Sequence, residues 1–227
     1  MGLGVLGLET QAQKRIWPSA VGRAILAHMA QPLLEYCFDI VCPYAYLGST
    51  QIESLTQKHD AALKWEPVLL GGILKGIGRD PFFTTKMPEA KMRHNFNDMM
   101  RWADHFDVPL KIHPRHPVRT VTVMRSLLVA DTPTAMIHAL YRAYWIDNRN
   151  LDQPEVLAEV LDEAGYNGSA IVAETQNPVI KQGLIDRTQR AIDRGVFGVP
   201  AMFVGDEMVW GQDRLPFVET LLRGEVL

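Results

Sequence analysis

Cysteine is scarce in this chain of 227 residues, with only Cys37 and Cys42 present, and that excludes a disulfide-stapled secreted scaffold. A positive charge excess is missing too. Lys plus Arg number 23 against 26 Asp plus Glu, a formal net charge of −3, so no surplus exists to neutralise a phosphate backbone and a general nucleic-acid binder is excluded. No apolar run approaches the ~18 residues of a membrane span. What is present is ordinary for a globular chain: 47% hydrophobic and 22% charged residues suffice to bury a core. At ~150 residues per domain the length gives about one and a half domains, either one large domain or a core with a substantial insertion.

Residues 1–32 stand apart, carrying Lys14, Arg15 and Arg23 against a single acid, Glu9. The apolar start Gly2–Leu8 has no basic residue ahead of it, and Arg23 interrupts Ala20–Ala27, so it does not read as a secretory signal. The expectation is a poorly ordered N-terminal extension, with Met29 as an alternative start, on a cytoplasmic protein with reduced thiols.

Leu33–Val41 alternates Leu34, Tyr36, Phe38 and Ile40 with Glu35, Cys37 and Asp39 and predicts a strand. Cys42-Pro43 then opens a helix through Tyr46, Leu47, Ile52 and Leu55. Ala62–Leu70 predicts a second strand, closed by Gly71-Gly72. This is a βαβ unit with a parallel pair. Helical spacing follows over Pro88–Phe106. Thr132-Pro133, Asp152 and Asn177-Pro178 supply cap signals for three more helices. Ala201–Val204 and Met208–Trp210 flank Gly205-Asp206-Glu207 as a hairpin, and Asp213 is expected to cap a last helix. The order predicts an α/β thioredoxin fold, residues 33–71 and 181–227, split by an all-helical insertion over residues 72–180.

Cys42 sits where the first strand meets the first helix. Unsatisfied N–H groups and the helix dipole favour an anion there, so a readily ionised, nucleophilic thiol is expected. Cys37 lies five residues back along extended chain, well over ~10 Å away, too far for a disulfide and suited to the core. Position 45 is Ala, so no resolving cysteine follows Cys42, and dithiol–disulfide chemistry within the chain is disfavoured. His113 and His116 flank Pro114 with no acid or Cys nearby, an incomplete metal set. Gly76, Gly78 and Pro81 mark a connecting loop.

Phe38-Asp39-Ile40-Val41-Cys42-Pro43-Tyr44-Ala45-Tyr46-Leu47-Gly48 resembles the opening of the kappa-class glutathione transferases and the 2-hydroxychromene-2-carboxylate isomerases, both of the DsbA-like branch of thioredoxin folds. Leu69 through Ile73, and Lys91 through Ala103 before Asp107-Val108-Pro109, agree with it. So do Gly195 through Pro200 and Trp210-Gly211-Gln212-Asp213-Arg214. The resemblance covers roughly residues 33–222 and implies a glutathione-dependent enzyme. By it, Cys42 stands where the family has its glutathione-activating Ser. Val199 offers its backbone to glutathione, and Pro200 is the cis-proline beside it. Gln212 and Asp213 hold the γ-glutamyl end, while Lys91 meets a carboxylate of the ligand or substrate. The family's Asn in the loop after the second strand falls on Arg79, and Arg125 matches a family Arg. The implied partners are glutathione and a small aromatic substrate, with a homodimer left open. Two other readings stand beside this one: a monothiol glutathione-linked oxidoreductase using Cys42, and a non-catalytic thioredoxin-like binding module.

Overall fold

A strand with apolar side chains on both faces belongs in the middle of a sheet, and β1 (Leu33–Phe38) ends with Tyr36, Cys37 and Phe38 all buried. In the computed structural model, which describes residues 31–80 and 87–227, β1 pairs in parallel with β2 (Ala62–Pro67) and antiparallel with β3 (Ala201–Val204). β3 pairs antiparallel with β4 (Glu207–Trp210), giving the order β2-β1-β3-β4. The expected extension over residues 1–32, all but its last two residues, and Pro81 lie outside the described residues.

Helix α1 (Pro43–Lys58) connects the parallel pair, with Pro43 in its first turn. Then come α2 (Leu70–Gly76), α3 (Glu89–His105), α4 (Val121–Val129), α5 (Thr134–Trp145), α6 (Pro154–Glu163), α7 (Gly168–Glu174) and α8 (Pro178–Asp193). A 3₁₀ turn at Gln212–Arg214 leads into α9 (Leu215–Leu222). The thioredoxin fold expected from the element order, with the DsbA-like arrangement that the resemblance implies, is the one observed. Residues Pro32–Leu227 form one unit, and α8 runs through residue 180, where the sequence sets the return to the sheet.

Four local expectations need correction. The second strand stops at Pro67, and Gly71-Gly72 lies inside α2 rather than closing a strand. Thr132 does not cap α5. It adopts a left-handed φ of 56°, and Pro133 takes the cap position. Asp152 gives way to Gln153 at the start of α6, because its carboxylate pairs with Arg115 at 2.8 Å. Asp213 falls in the 3₁₀ turn and leaves the α9 cap position to Arg214, with which it forms an ion pair. Asn177 does cap α8, accepting from Val179 N at 2.9 Å.

One aromatic core joins the sheet to the helical segment. Tyr36 and Phe38 meet Trp65 edge-on at 5.3 and 5.6 Å between ring centroids. From α5, Tyr141 packs against Phe38 at 6.0 Å and against Tyr46 of α1 at 5.5 Å. Trp145 Nε1 donates to the Ile40 carbonyl at 2.8 Å. Each aromatic pair adds roughly 0.5–1.5 kcal/mol beyond the area it buries, so the junction between β1 and α1 is held from the helical side.

Candidate functional site

The four residues Asp39–Cys42 turn the chain out of β1 and into α1. Asp39 fixes that turn with a buried carboxylate that accepts from Val41 N at 3.2 Å, Leu70 N at 2.9 Å and Thr120 Oγ1 at 2.8 Å. Burial raises its pKa above the usual range, and the three hydrogen bonds only partly offset this. Cys42 N donates to Asp39 O at 3.0 Å, and Cys42 becomes the N-cap residue of α1.

The Cys42 side chain is 6% exposed, and its Sγ–H donates to the Val199 carbonyl at 3.1 Å. The Val199-Pro200 peptide is cis, as the resemblance implies. The expected readily ionised thiol is corrected here. Burial pushes the Cys42 thiol up to about 12, against the lowering effect of hydrogen bonds from the Ala45 and Tyr44 backbone, and Asp39 adds to the rise. A partial charge at a helix end falls off within a turn, and removing a thiolate from water outweighs it here. Cys42 is therefore a protonated hydrogen-bond donor at neutral pH. Cys37 is free and buried in the core, its thiol likewise pushed up to about 12 by burial.

Tyr44, absent from the site residues expected from the sequence, marks where three elements converge. Its hydroxyl is raised to about 12 by burial and by the charges of Asp98 from α3, Cys42, and Asp213 from the 3₁₀ turn. Gln212 is buried against α1, where a Cβ added to Gly48 would stand 3.4 Å from Gln212 Cβ. The structure thus brings Cys42 into contact with Val199, the residue before cis-Pro200, and draws Asp213 and Gln212 up beside α1. Lys91 is not in that contact set. It lies exposed in the first turn of α3, seven residues from Asp98 on the same face, about 10 Å along the helix axis. There it lines a cavity of about 350 Å³ with Arg79, Asp80, Met87 and Pro88. Phe197 and Trp210, 45% and 49% exposed with ring centroids 5.0 Å apart, flank the Val199-Pro200 segment.

Among the described residues no group of three or more His, Cys, Asp and Glu side chains could hold a metal ion, and no helix is long and apolar enough to cross a membrane. His113 stacks on Tyr144 at 5.1 Å, and His116 Nδ1 lies 3.0 Å from the Tyr144 hydroxyl. Asp39 and Tyr44 lie in the segment that carries the resemblance, but no role could be read for them there, because each matters through distant partners: Leu70 and Thr120 for Asp39, Asp98 and Asp213 for Tyr44. A cap motif or periodicity cannot show those partners.

A 2-hydroxychromene-2-carboxylate isomerase of Pseudomonas sp. (strain C18) is 28% identical over 200 residues, covering 85% of this chain and 91% of that one. Glutathione S-transferase kappa 1 of Homo sapiens is 22% identical over 207 residues, covering 83% and 90%. A solved structure of 2-hydroxychromene-2-carboxylate isomerase matches the fold with a TM-score of 0.74 at 24% identity, covering 85% of this chain and 95% of that one. The family model of the DSBA-like thioredoxin domain matches residues 34–223. Those residues hold all of the sheet but Leu33 and both halves of the Cys42–Val199 contact, and the chain belongs to the DSBA-like thioredoxin domain family.

Proposed function

We propose that the protein is a glutathione-dependent isomerase of the 2-hydroxychromene-2-carboxylate type, or a kappa-type transferase, acting on an aromatic or conjugated electrophile. The observation that carries this reading is the buried Cys42 sulfur, 3.1 Å from Val199 O beside cis-Pro200 at the N-terminus of α1. A neutral donor at that place does the work of a hydroxyl, and no second cysteine stands at position 45 to resolve a mixed disulfide.

The residues present suit glutathione. Val199 offers its backbone in the manner of strand addition, Asp213 answers an ammonium group, and the Gln212 amide both donates and accepts. Lys91 and Arg214 supply cations for carboxylates. When bound, glutathione supplies a thiolate that adds reversibly to a conjugated double bond. Cys42 would then exchange its hydrogen bond from Val199 O to that sulfur, while the Val199 carbonyl takes a ligand N–H in return. The N–H groups of the first turn of α1 add positive potential. Phe197 and Trp210 offer ring faces to an aromatic substrate. A cytoplasmic setting suits two cysteines left free.

Calorimetry with reduced glutathione tests binding, and turnover of 2-hydroxychromene-2-carboxylate tests the reaction. Cys42→Ser should keep or raise isomerase activity, whereas Cys42→Ala should lower it by about 10²-fold, the usual cost of losing one donor to a developing anion. Abolition of activity by Cys42→Ser, together with one glutathione bound to Cys42 after oxidised glutathione, would establish the monothiol oxidoreductase instead. An absence of glutathione binding would leave the binding module.

A further inference from the structure

The chain over residues 107–120, between α3 and α4, forms no helix or strand, so side chains must hold this strap in place. Residues that frame Cys42 pin both of its ends. Tyr46 of α1 donates to Pro109 O at 2.8 Å, and Thr120 donates to the buried Asp39 carboxylate at 2.8 Å. Between those ends the strap meets the last turn of α5, where Lys111 N donates to Trp145 O at 2.7 Å.

The middle of the strap is His113-Pro114-Arg115-His116, and both imidazoles there accept hydrogen bonds. His113 is 2% exposed, and its Nδ1 accepts from Arg115 N at 3.1 Å. The Tyr144 hydroxyl of α5 accepts from Val118 N at 3.4 Å, which leaves its own proton for His116 Nδ1 at 3.0 Å. A ring nitrogen accepts only while it carries no proton, so protonation sets an N–H against the donor at each place. The charged and titratable groups facing the pair are Arg115 on the strap, Tyr144 on α5 and Asp152 ahead of α6. None of them welcomes an added positive charge, since the Asp152 carboxylate is taken by Arg115 at 2.8 Å. Among the described residues, the histidines that do have a carboxylate partner are His59 and His138, with Glu219 and Glu53. His116 is exposed, so solvent protons reach it, and its ring leans on Trp145 at 5.2 Å. That partial burial, with His113 beside it, holds the His116 pKa down to about 4. A histidine freed into water, near 6.5, binds the proton more readily. Acid therefore drives the strap off progressively as the pH falls from the free value to the held one.

We propose that the strap is an acid-sensitive latch on the Cys42 site: protonation of His116, then of His113, releases it from α5 and withdraws Thr120 from Asp39. Asp39 then keeps its backbone donors Val41 and Leu70 but loses its hydroxyl donor. Trp145 loses the His116 ring and the Lys111 bond that steady it, and with them its hold on Ile40 O at 2.8 Å. The turn that delivers Cys42 loosens while the sheet stands, a local opening rather than unfolding. The site is assembled at neutral pH and taken apart in acid. This rests on the reading of Cys42 as the acting group. Its test uses neither glutathione nor substrate, so a failure of glutathione binding and a failure of the latch are told apart.

The measurement is the labelling rate of Cys42 relative to Cys37 in the full chain at pH 7.5 and pH 5.0. The probe is 4,4′-dithiodipyridine, which labels thiols in acid as well as at neutral pH, read by peptide-resolved mass spectrometry. Both thiols are held near 12 by burial, so they share the chemical pH dependence, and Cys37 in the sheet reports any general unfolding. The Cys42 to Cys37 ratio should rise about ten-fold at pH 5.0, the size expected when one hydrogen bond to a charged group is lost. An unchanged or falling ratio would overturn the proposal. His116→Asn places an amide oxygen where Nδ1 accepts and removes the titration, so the rise should vanish. A rise as large as that of the wild type would overturn the latch as well. If His116→Asn does not fold, amide hydrogen exchange in the wild type decides. Residues 111–118 should lose protection at pH 5.0, after correction for intrinsic rates, while Leu215–Leu222 keeps it. Equal protection of the strap at both pH values would sink the idea.

Discussion

At Cys42 two opposing rules act on one sulfur: a helix N-terminus favours the thiolate, and a dry surrounding favours the thiol. Burial prevails, because the thiol already has a good acceptor in Val199 O and gains little from ionising. The same crowding governs Gly48, one turn and a half into α1. A Cβ there would overlap the Tyr36 hydroxyl and press on Gln212 Cβ. Tyr36 cannot yield, since its ring is packed against Trp65 and Phe38 and its hydroxyl is committed to Ala45 O. Gly48→Ala would gain about 1 kcal/mol of helix propensity in a free helix. Here it should instead destabilise the protein by about 1–3 kcal/mol through overpacking, read as a lower urea midpoint. A midpoint equal to or above wild type would show that the Tyr36–Gln212 face has slack.

Among the elements, α2 shows where local reading of the sequence stops. Gly71-Gly72 resembles a turn, and no capping side chain precedes Leu70. The N–H groups at the start of α2 are met from elsewhere instead: Leu70 N by Asp39 Oδ2 at 2.9 Å, and Leu69 N by Thr188 Oγ1 of α8 at 3.0 Å. Its glycines let α2 lie close on α8, since a Cβ at Gly76 would come within 2.6 Å of Ile192 Cδ1. A cap supplied by a residue 119 positions away cannot be read from a window of sequence. By contrast, β1, α1, the hairpin and the Asn177 cap rest on alternation, Pro position and turn chemistry within a few residues, and those are legible. The same division holds at the site. Cys42 and cis-Pro200 follow from local pattern and resemblance, whereas the roles of Asp39 and Tyr44 emerge only with their tertiary partners. Thr188→Val keeps the shape and removes the hydroxyl, so Leu69 N loses its partner. It should cost about 1–2 kcal/mol in urea unfolding, and Thr188→Ser should recover most of that. Equal stability of the Val and Ser variants would mean that water caps α2 just as well.

For the molecule as a whole, the question is whether the helices between β2 and β3 fold as a unit of their own. The sequence reads as a domain with an insertion, yet the links between the two parts run through the centre. Thr120 donates to Asp39, Tyr46 to Pro109 O at 2.8 Å, and Trp145 to Ile40 O. The rings of Phe38, Tyr46, Tyr141 and Trp145 pack in one cluster across the same boundary. If the helical part opened first, it would strip β1 of one face of its packing and leave Asp39 buried with a lost donor. If the sheet opened first, Trp145 and Tyr141 would be exposed. Either partial state gives up several aromatic contacts of roughly 0.5–1.5 kcal/mol each, besides their buried area, and regains little chain entropy beyond the part released. A single cooperative transition is therefore expected for Pro32–Leu227. Far-UV circular dichroism, dominated by the helices, and the fluorescence of a variant keeping only Trp65 of the sheet and Trp145 at the junction, with Trp17, Trp102 and Trp210 replaced by Phe, should give superimposable urea curves. Circular dichroism falling at lower urea than fluorescence would show that the helical segment melts independently, and that the Cys42 site stands on the sheet alone.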